Sequence, residues 1–372
     1  MDAKFYFKAI LLFIPCSLVF YWTTLYDDPT KYSPTAEPEA IQPGAAHFWA
    51  LHDFSYILTP RNKCQIVNGS KDSEPPPQIK FLQLVTSYSG EVMARSALRR
   101  AYPIDELLRL GIWRVFLLAK PKRGVVDASQ SSLVDENRRF GDLLQGDFDE
   151  SYRNLTYKHA MGLKWASTSC PSAQYVMKMD DDIAVDLYRV TETIAGYGSN
   201  TTFDLMGYVF DKLRPIRLKA NKWYVTTHEY NREVYPQFVS GWFYVTKPEV
   251  AKLLVENALS LPYFWIDDVF LTGIAAELIN ARFLDVGRLF STYPEVLDCC
   301  VSKNVVCEYL VAPSSGDFDL QIRFQRHSHN CKYSGSCSSL APDLNISQIC
   351  VAKKVLPKLH LGFPSFAQIR LR

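Results

Sequence analysis

Segments with the apolar spacing of strands alternate with segments that have the apolar spacing of helices along most of the chain. The run WRVFLLAK, residues 113–120, is almost continuously apolar, which is typical of a strand covered on both faces. The other strand-like segments are 79–88, 173–179 and 237–246, and the helix-like segments are 91–102, 151–167, 185–198, 247–259 and 265–279. This alternation predicts an α/β fold around a mostly parallel sheet.

A long apolar segment near the N-terminus predicts a membrane anchor. Residues 5–26 are apolar apart from Lys8 and a few hydroxyl residues, and about 20 such residues cross a bilayer as a helix. Lys4 and Lys8 lie on its N-terminal side and two aspartates follow it, so the positive-inside rule keeps residues 1–4 in the cytoplasm. A cleaved signal peptide is the alternative, but no small-x-small cleavage site follows the apolar segment.

The region after the predicted anchor divides into a stem and a main domain. Residues 27–78 are rich in proline and polar residues, which indicates a stem. Within the stem, the apolar stretch 45–58 forms either a short helix that docks on the main domain or a poorly ordered linker. Residues 79–372 are the predicted main domain, and we expect its last part, from about residue 295, to be cysteine-rich and irregular.

Composition and charge exclude one class of partner. Hydrophobic residues make up 48% of the 372-residue chain and charged residues 22%, which is ordinary for a globular protein. The net charge is only +2, and no long basic run interrupts the sequence. Because nucleic-acid binding leaves a clustered basic face, we expect no nucleic-acid partner.

Glycosylation motifs and cysteines both indicate an oxidising, lumenal compartment for the main domain. N-x-S/T acceptor motifs begin at Asn68, Asn154, Asn200 and Asn345. Eight of the nine cysteines follow the predicted anchor, and an even number suits disulfides. Eight cysteines allow 105 pairings, so the sequence alone assigns none. Zinc binding is the alternative use, but no C-x2-C pair recurs with a partner pair.

Three adjacent carboxylates, Asp180, Asp181 and Asp182, follow a strand-like segment in YVMKMDDDIAVD. In an α/β sheet, ligands bind beyond the carboxyl ends of the strands. Adjacent acids repel one another unless a cation neutralises them, and hard oxygen ligands suit Mg²⁺ or Mn²⁺. Such ions often complete their shell with substrate phosphates, so we expect a diphosphate-bearing substrate. The alternative is an acidic helix N-cap whose neighbours are solvated.

Five motifs between residues 79 and 295, in order, resemble those of the β1,3-glycosyltransferases of carbohydrate-active family 31. This family includes β1,3-galactosyl- and β1,3-N-acetylglucosaminyltransferases. The matching stretches are RSALRRAYP, ENRRFGDLLQGDFDESYRNLTYKHAMGLKWASTSC, KMDDDIAVD, VYPQFVSGWFYV and IDDVFLTGIAAEL. The second stretch, residues 136–170, is the longest and most specific match.

The resemblance implies a nucleotide-sugar-binding fold of the GT-A type and an inverting, metal-dependent hexosyl transfer. Galactose or N-acetylglucosamine would pass from a UDP-sugar to a glycan acceptor on protein or lipid, forming a β1,3 linkage. The enzyme would be a single-pass type II protein of the Golgi membrane. A catalytically silent relative, acting as a chaperone or subunit, should have lost Asp182 or Asp268, and this chain keeps both.

The resemblance also implies roles for individual residues. Asp182 and Asp180 would hold Mn²⁺ or another divalent cation. Asp268 would be the catalytic base, with Asp267 raising its pKa or binding the acceptor; an acidic helix N-terminus is the alternative reading of this pair. His327 is the candidate histidine that completes the metal site in related folds.

The remaining expected contacts are with the donor. Arg95 and Arg99 lie four residues apart on one helix face and could reach UDP, or they could be salt-bridged surface residues. The other donor-binding candidates are Lys158, Asp180 and Asp181. Among the departures from the family pattern, Asp267 replaces a glutamate of the Glu-Asp-Val block.

Overall fold

A computed structural model of the protein describes residues 55–61, 64, 79–121, 129–197, 202–340, 344 and 346–350. The predicted cytoplasmic tail and anchor, residues 1–26, and most of the predicted stem lie outside these ranges. No helix within these ranges has the length and apolar character that a membrane span requires.

Eight strands form one twisted sheet in the order β1-β4-β3-β2-β5-β8-β7-β9, and β6 pairs with β10 in a separate ribbon. The strands are β1 Tyr56–Leu58, β2 Phe81–Thr86, β3 Ile112–Lys120, β4 Leu143–Asp149, β5 Tyr175–Asp180, β6 Ile183–Val185, β7 Leu205–Phe210, β8 Phe238–Thr246, β9 Phe283–Asp285 and β10 Val311–Pro313. Strands β4, β3, β2 and β5 are mutually parallel, as are β7 and β9, whereas β8 runs antiparallel between β5 and β7. The predicted α/β fold with a mostly parallel sheet is therefore confirmed.

Helices cover both faces of this sheet. They are α1 Val92–Ala101, α2 Ile104–Arg109, α3 Gln130–Phe140, α4 Leu155–Ser169, α5 Leu187–Gly196, α6 Pro248–Ala258, α7 Ala275–Leu278, α8 Pro294–Lys303, α9 Phe318–Ser334 and α10 Ile346–Ile349. A π-helix, Val269–Ile274, leads directly into α7. All six residues of β2 are buried, which explains why the parallel strands read as nearly continuous apolar runs.

Local signals in the sequence explain where several helices begin and end. The Ser129 side chain accepts a hydrogen bond from the Ser132 amide at 3.1 Å and caps the start of α3. Gly141 ends that helix with φ of +68°, a conformation that glycine adopts without strain. Pro248 opens α6 at a position where its missing N–H leaves no helical hydrogen bond unmade.

Two segments differ from the sequence-based expectation. Residues 56–58, expected to lie in a short helix or a linker, form strand β1, which pairs with β4 at the edge of the sheet. The cysteine-rich part after residue 295 was expected to be irregular, and this was wrong: it contains α8, β10 and the 17-residue α9. Helix α9 was missed because several of its buried residues are polar, so the apolar residues show no clear helical spacing. Its buried face packs on the rest of the domain.

The disulfides predicted from the cysteine count are present. They are Cys64–Cys170, Cys299–Cys350, Cys300–Cys307 and Cys331–Cys337, so every cysteine after the predicted anchor is paired. The first disulfide ties Cys64, which lies between β1 and β2, to the end of α4 across 106 residues. Since a thiolate is needed to bind zinc, these pairings leave none of the eight cysteines as a zinc ligand.

Candidate active site

The aspartate triplet, Asp180–Asp182, lies where β5 leaves the sheet. Asp180 pairs in register with Thr86, the last residue of the parallel strand β2, so both strands end at the same edge. The side chain of Asp180 is one-third exposed and Asp182 is exposed, whereas the Oδ2 atom of Asp181 is buried. Two of the three carboxylates therefore open towards solvent, and the third turns inward beside Ser87.

Lys178 connects this triplet to the neighbouring strand. It lies two residues before Asp180 and thus on the same face of β5. Its Nζ atom donates to Asp180 Oδ1 at 2.7 Å and to the carbonyl of Gly241, on β8, at 2.6 Å. Burial raises the pKa of Asp180 to about 7, although the charge of Lys178 acts in the opposite direction. Burial alone would lower the pKa of Lys178, but the nearby carboxylates raise it, so the ammonium stays charged.

The aspartate pair, Asp267 and Asp268, lies at the start of the π-helix and reaches the other side of Gly241. Asp268 accepts hydrogen bonds from the Gly241 amide at 3.3 Å and from the Val269 amide at 2.8 Å. A Cβ atom at position 241 would lie 3.4 Å from Lys178 Nζ and 3.5 Å from Asp268 Oδ2. The ammonium of Lys178 and the carboxylate of Asp268 therefore both lie next to Gly241, which brings the triplet and the pair together in one cluster.

The two acids of the pair have opposite electrostatic surroundings. Burial would raise the pKa of Asp267, but the hydrogen bond from His159 and the charge of Lys178 outweigh burial and lower it. Burial and the negative charge of Asp267 raise the pKa of Asp268. One acid thus stays ionised while its neighbour has an increased affinity for a proton, a difference that suits general base chemistry.

The fully buried His159 holds Asp267 through a hydrogen-bond chain that also includes Tyr244. Its Nδ1 atom lies 2.8 Å from Asp267 Oδ2, and its Nε2 atom lies 2.5 Å from the hydroxyl of Tyr244. Burial lowers the pKa of His159, so the ring carries one proton. An ionised carboxylate only accepts, so Nδ1–H donates to Asp267 and Tyr244 donates to Nε2.

Two of the three predicted donor-binding cations, Arg95 and Lys158, contact the loop that follows β2. Arg95 is fully buried, forms a bidentate ion pair with Glu136 at 2.8 Å, and donates to the carbonyls of Tyr88 and Ser89 at 2.7 and 3.1 Å. Lys158 is also buried and donates to the carbonyl of Ser87 at 2.7 Å. These two side chains bind the loop 87–89 that follows β2.

Arg99 points to a different part of the domain from Arg95. It pairs with Asp142 at 2.7 Å and with Glu136 at 2.8 Å, and its guanidinium lies 4.0 Å from the centre of the Phe140 ring. Only 11% of its side chain is exposed. These contacts hold α1 against α3 and the start of β4.

His327 lies in the cysteine-rich part, on the buried face of α9. Its Nε2 atom is 2.8 Å from the carbonyl of Val305, and its ring adjoins the Cys331–Cys337 disulfide. These three residues lie close enough to hold a metal, but both sulfurs are already bonded to each other. None of the hydrogen bonds of His327 to other described residues reaches the triplet, where α9 instead contributes Gln321, which donates to the Asp181 carbonyl at 2.9 Å.

Of the four predicted glycosylation sites, only Asn154 lies among the described residues. Its amide group donates to the carbonyl of Asp149 at 2.8 Å at the start of α4. The other three, Asn68, Asn200 and Asn345, fall outside the ranges that the structure describes.

Sequence reasoning missed two residues that complete the site. Lys178 carried a usable signal, because a period of two places it on the same strand face as Asp180. His159 carried none, since a histidine 108 residues before Asp267 has no local pattern that links the two.

Comparisons with known proteins agree with the sequence motifs. The galactosyltransferase family profile matches residues 93–285. Beta-1,3-galactosyltransferase 5 of Homo sapiens is 28% identical over 309 residues, which cover 82% of this chain and 92% of that protein. The Mus musculus protein of that name is 32% identical over 64% of this chain and 76% of its own length.

A relative with a different stated activity also matches. Lactosylceramide 1,3-N-acetyl-beta-D-glucosaminyltransferase B of Xenopus laevis is 31% identical over 60% of this chain and 58% of that protein. Among solved structures, a mannosyltransferase from Pyrobaculum calidifontis aligns with a TM-score of 0.31 and 13% identity over 63% of this chain and 59% of that chain. A likeness this small supports no argument about the site.

Proposed function

The chain belongs to the galactosyltransferase family, and from that premise we propose the reaction that its acidic site performs. The protein is a glycosyltransferase. On a fold of the GT-A type, it transfers galactose or N-acetylglucosamine from a UDP-sugar to the 3-hydroxyl of a glycan acceptor. Inversion at the anomeric carbon gives a β linkage. The proposal depends above all on one series of contacts, Asp180–Lys178–Gly241–Asp268, which joins the triplet to the candidate base.

The residues at the triplet fit a divalent cation such as Mn²⁺. Asp180 and Asp182 offer hard carboxylate oxygens at an open edge. Burial and the charge of Asp182 raise the pKa of Asp181 to about 6, so negative charge is crowded at this point. Lys178 is the only cation bonded to Asp180 within the described part of the chain, and it also faces the aspartate pair. When bound there, the cation supplies Lewis-acid stabilisation of the UDP leaving group.

On the acceptor side, Asp268 is the catalytic base. The oxygen of the acceptor 3-hydroxyl attacks the anomeric carbon and passes its proton to a carboxylate oxygen of Asp268. The bond from the anomeric carbon to the UDP oxygen breaks, and UDP leaves with the electron pair. Asp267, kept ionised by His159, increases the proton affinity of Asp268.

The buried cations have a supporting role in this proposal. Arg95 and Lys158 hold the backbone carbonyls of the loop 87–89, which borders the triplet through the contact of Ser87 with Asp181. We assign donor contacts to this loop and to Asp180. Arg95 and Lys158 position the loop, whereas Arg99 holds α1 against α3 and the start of β4.

The proposed location is the lumenal face of the Golgi membrane, with residues 5–26 as the anchor. The disulfides of the main domain agree with an oxidising compartment. Replacing residues 1–26 with a cleavable signal should release a soluble, active protein into the medium. Continued membrane retention of that variant would contradict the anchor.

A donor screen tests the reaction. Full-length protein in detergent is incubated with Mn²⁺ or EDTA and with UDP-galactose, UDP-N-acetylglucosamine or UDP-N-acetylgalactosamine, with and without glycan acceptors. We expect Mn²⁺-dependent UDP release that increases with one donor–acceptor pair, and a β1,3 linkage in the product by NMR. Asp298→Asn, which changes an exposed acid on α8, is the control for variants of the acidic site. A folded protein that transfers no sugar from any donor would favour the silent chaperone or subunit.

A further inference from the structure

Three aromatic side chains form a layered group beside the aspartate pair. Trp223 and Trp265 stack with ring centroids 6.3 Å apart and an interplanar angle of 11°. The Tyr152 ring lies 5.6 Å from Trp223 and 6.0 Å from Trp265. Trp265 is buried, Trp223 is half-buried and Tyr152 is 43% exposed, so Trp265 forms the floor and the other two rings reach the surface.

This aromatic group adjoins the catalytic acids. Trp265 precedes Asp267 by two residues on the same segment. Burial raises the pKa of the Tyr152 hydroxyl, and the charges of Asp267, Asp268 and Asp180 raise it further, so this ring lies within electrostatic reach of the acids.

Lys222 marks the border between the aromatic group and the triplet. Its Nζ atom lies 4.9 Å from the centre of the Trp223 ring and 5.8 Å from that of Tyr152. Burial lowers the pKa of Lys222, whereas the charges of Asp182 and Asp180 act to raise it, so it also lies within electrostatic reach of the triplet. Lys222 therefore contacts the aromatic group and also senses the charges of the triplet, so the two surfaces are neighbours.

The segment that carries Trp223 is a long connection, residues 211–237, between the adjacent antiparallel strands β7 and β8. Such strands usually need only a few linking residues, and long loops that persist are commonly functional. Its conformation is held internally: Arg217 donates to the carbonyls of Val225 and Tyr230 at 2.9 and 2.7 Å. The Trp223 amide donates to Asn221 Oδ1 at 2.8 Å.

A second contact joins this loop to the segment that carries Tyr152. Glu229 accepts from Arg153 at 2.9 Å and from the Thr226 amide at 2.8 Å. The Arg153 guanidinium in turn lies 4.7 Å from the centre of the Trp265 ring. The two surface rings are thus fixed relative to each other before any ligand arrives.

We propose that Tyr152 and Trp223 form the acceptor subsite, a stacking surface for the hexopyranose ring whose hydroxyl is deprotonated by Asp268. The apolar C–H face of a pyranose packs on aromatic rings, while its hydroxyl edge can face the neighbouring acids. The donor sugar is tied to the diphosphate at the triplet, across Lys222, so the acceptor ring occupies the aromatic side. This inference rests on the proposed function, because it assigns the second substrate of the same site.

Kinetics of the full-length enzyme test the assignment. Trp223→Ala and Tyr152→Ala should each raise the KM for the acceptor about tenfold, the usual scale for losing one stacking ring. The KM for the UDP-sugar should change far less than the KM for the acceptor, and far-UV circular dichroism shows whether the variants fold. Trp223→Phe should recover most of the acceptor affinity. Tyr333→Ala, which removes a 55% exposed ring on α9, is the matched control.

The opposite results overturn the inference. An unchanged acceptor KM in both alanine variants would exclude the stacking surface, and a selective rise in the donor KM would assign the rings to the donor instead. A direct binding measurement separates this failure from failure of the proposed function. Methyl β-galactoside and methyl β-N-acetylglucosaminide are tested for binding by saturation-transfer NMR. If the protein transfers no sugar, binding that Trp223→Ala weakens still supports the subsite, and no binding by wild-type protein overturns it.

Discussion

The triplet and the pair both consist of aspartates, but the fold holds the two groups in different ways. At the triplet it is the backbone that is fixed: the Asp182 carbonyl accepts from both the amide and the hydroxyl of Ser314 at 2.8 Å, while the carboxylate stays exposed. At the pair it is the carboxylates that are fixed, Asp268 by two backbone amides and Asp267 by His159.

This difference matches two chemical tasks. A carboxylate that must bind a cation needs free oxygen atoms on a firmly held backbone. A carboxylate that must accept one proton needs a set position and a raised pKa, which burial and a charged neighbour provide. Lys178 is the common element, since its ammonium contacts Asp180 and its charge lowers the pKa of each acid of the pair.

The largest effect should come from removing the base. Asp268→Asn keeps the shape of the side chain but cannot accept a proton, so sugar transfer should fall by about a thousandfold, within the range for general bases. UDP-sugar and Mn²⁺ binding, measured by calorimetry, should remain. Transfer within tenfold of wild type would show that the pair does not serve as the base.

Asp182→Asn should act on the cation instead. Losing an outer-shell partner of a metal ligand already costs about 10–100-fold in metal affinity, so replacing a direct carboxylate ligand should weaken Mn²⁺ activation by at least about a hundredfold. Excess Mn²⁺ should restore part of the rate. A titration of UDP release against Mn²⁺ measures this shift. If Asp182→Asn needed no more Mn²⁺ than the control Asp298→Asn, Asp182 would not be a cation ligand, and the triplet and the pair would not have the separate roles proposed here.

Lys178→Met tests whether the two acid groups are electrostatically coupled. Losing the ammonium should raise the pKa of both Asp180 and Asp268, so the pH below which transfer declines should move upward. Removing one partner of this partly buried ion pair should also lower the stability, visible as a lower Tm. Lys252→Met changes an exposed lysine on α6 and should leave both quantities as they are. A lower Tm with an unmoved pH profile would mean that Lys178 is only structural.

The smallest effect should follow changes at His159. Asp268 works as a base only when ionised, so transfer should decline as the pH falls through its raised pKa. His159→Leu removes the hydrogen bond that keeps Asp267 charged, so a proton resides on Asp267 instead. Asp268 then lacks its negatively charged partner and ionises more readily. The pH at which transfer declines should therefore move about one unit lower. His159→Asn, whose amide can replace Nδ1–H, should restore most of the wild-type profile. Identical profiles for the two variants would contradict the role of His159.

Four of the ten described strands, β2, β3, β5 and β8, and both acid groups could be predicted from the sequence because they depend on local spacing. The runs at 79–88, 113–120, 173–179 and 237–246 each contain one observed strand or most of it, since a buried strand must be apolar along its length. The position of Asp180–Asp182 after such a run, and of Asp267–Asp268 at a helix start, could likewise be read from neighbouring residues.

Only the tertiary structure determined which residues that are distant in sequence contact one another. It selected one set of four disulfides from the possible pairings, turned Arg95 inward to Glu136, and brought His159 to Asp267. It also placed Gly241 between Lys178 and Asp268, although 63 residues separate Gly241 from Lys178. Such pairings follow from how strands and helices pack once the sheet has formed, and no local pattern of apolar and polar residues encodes them.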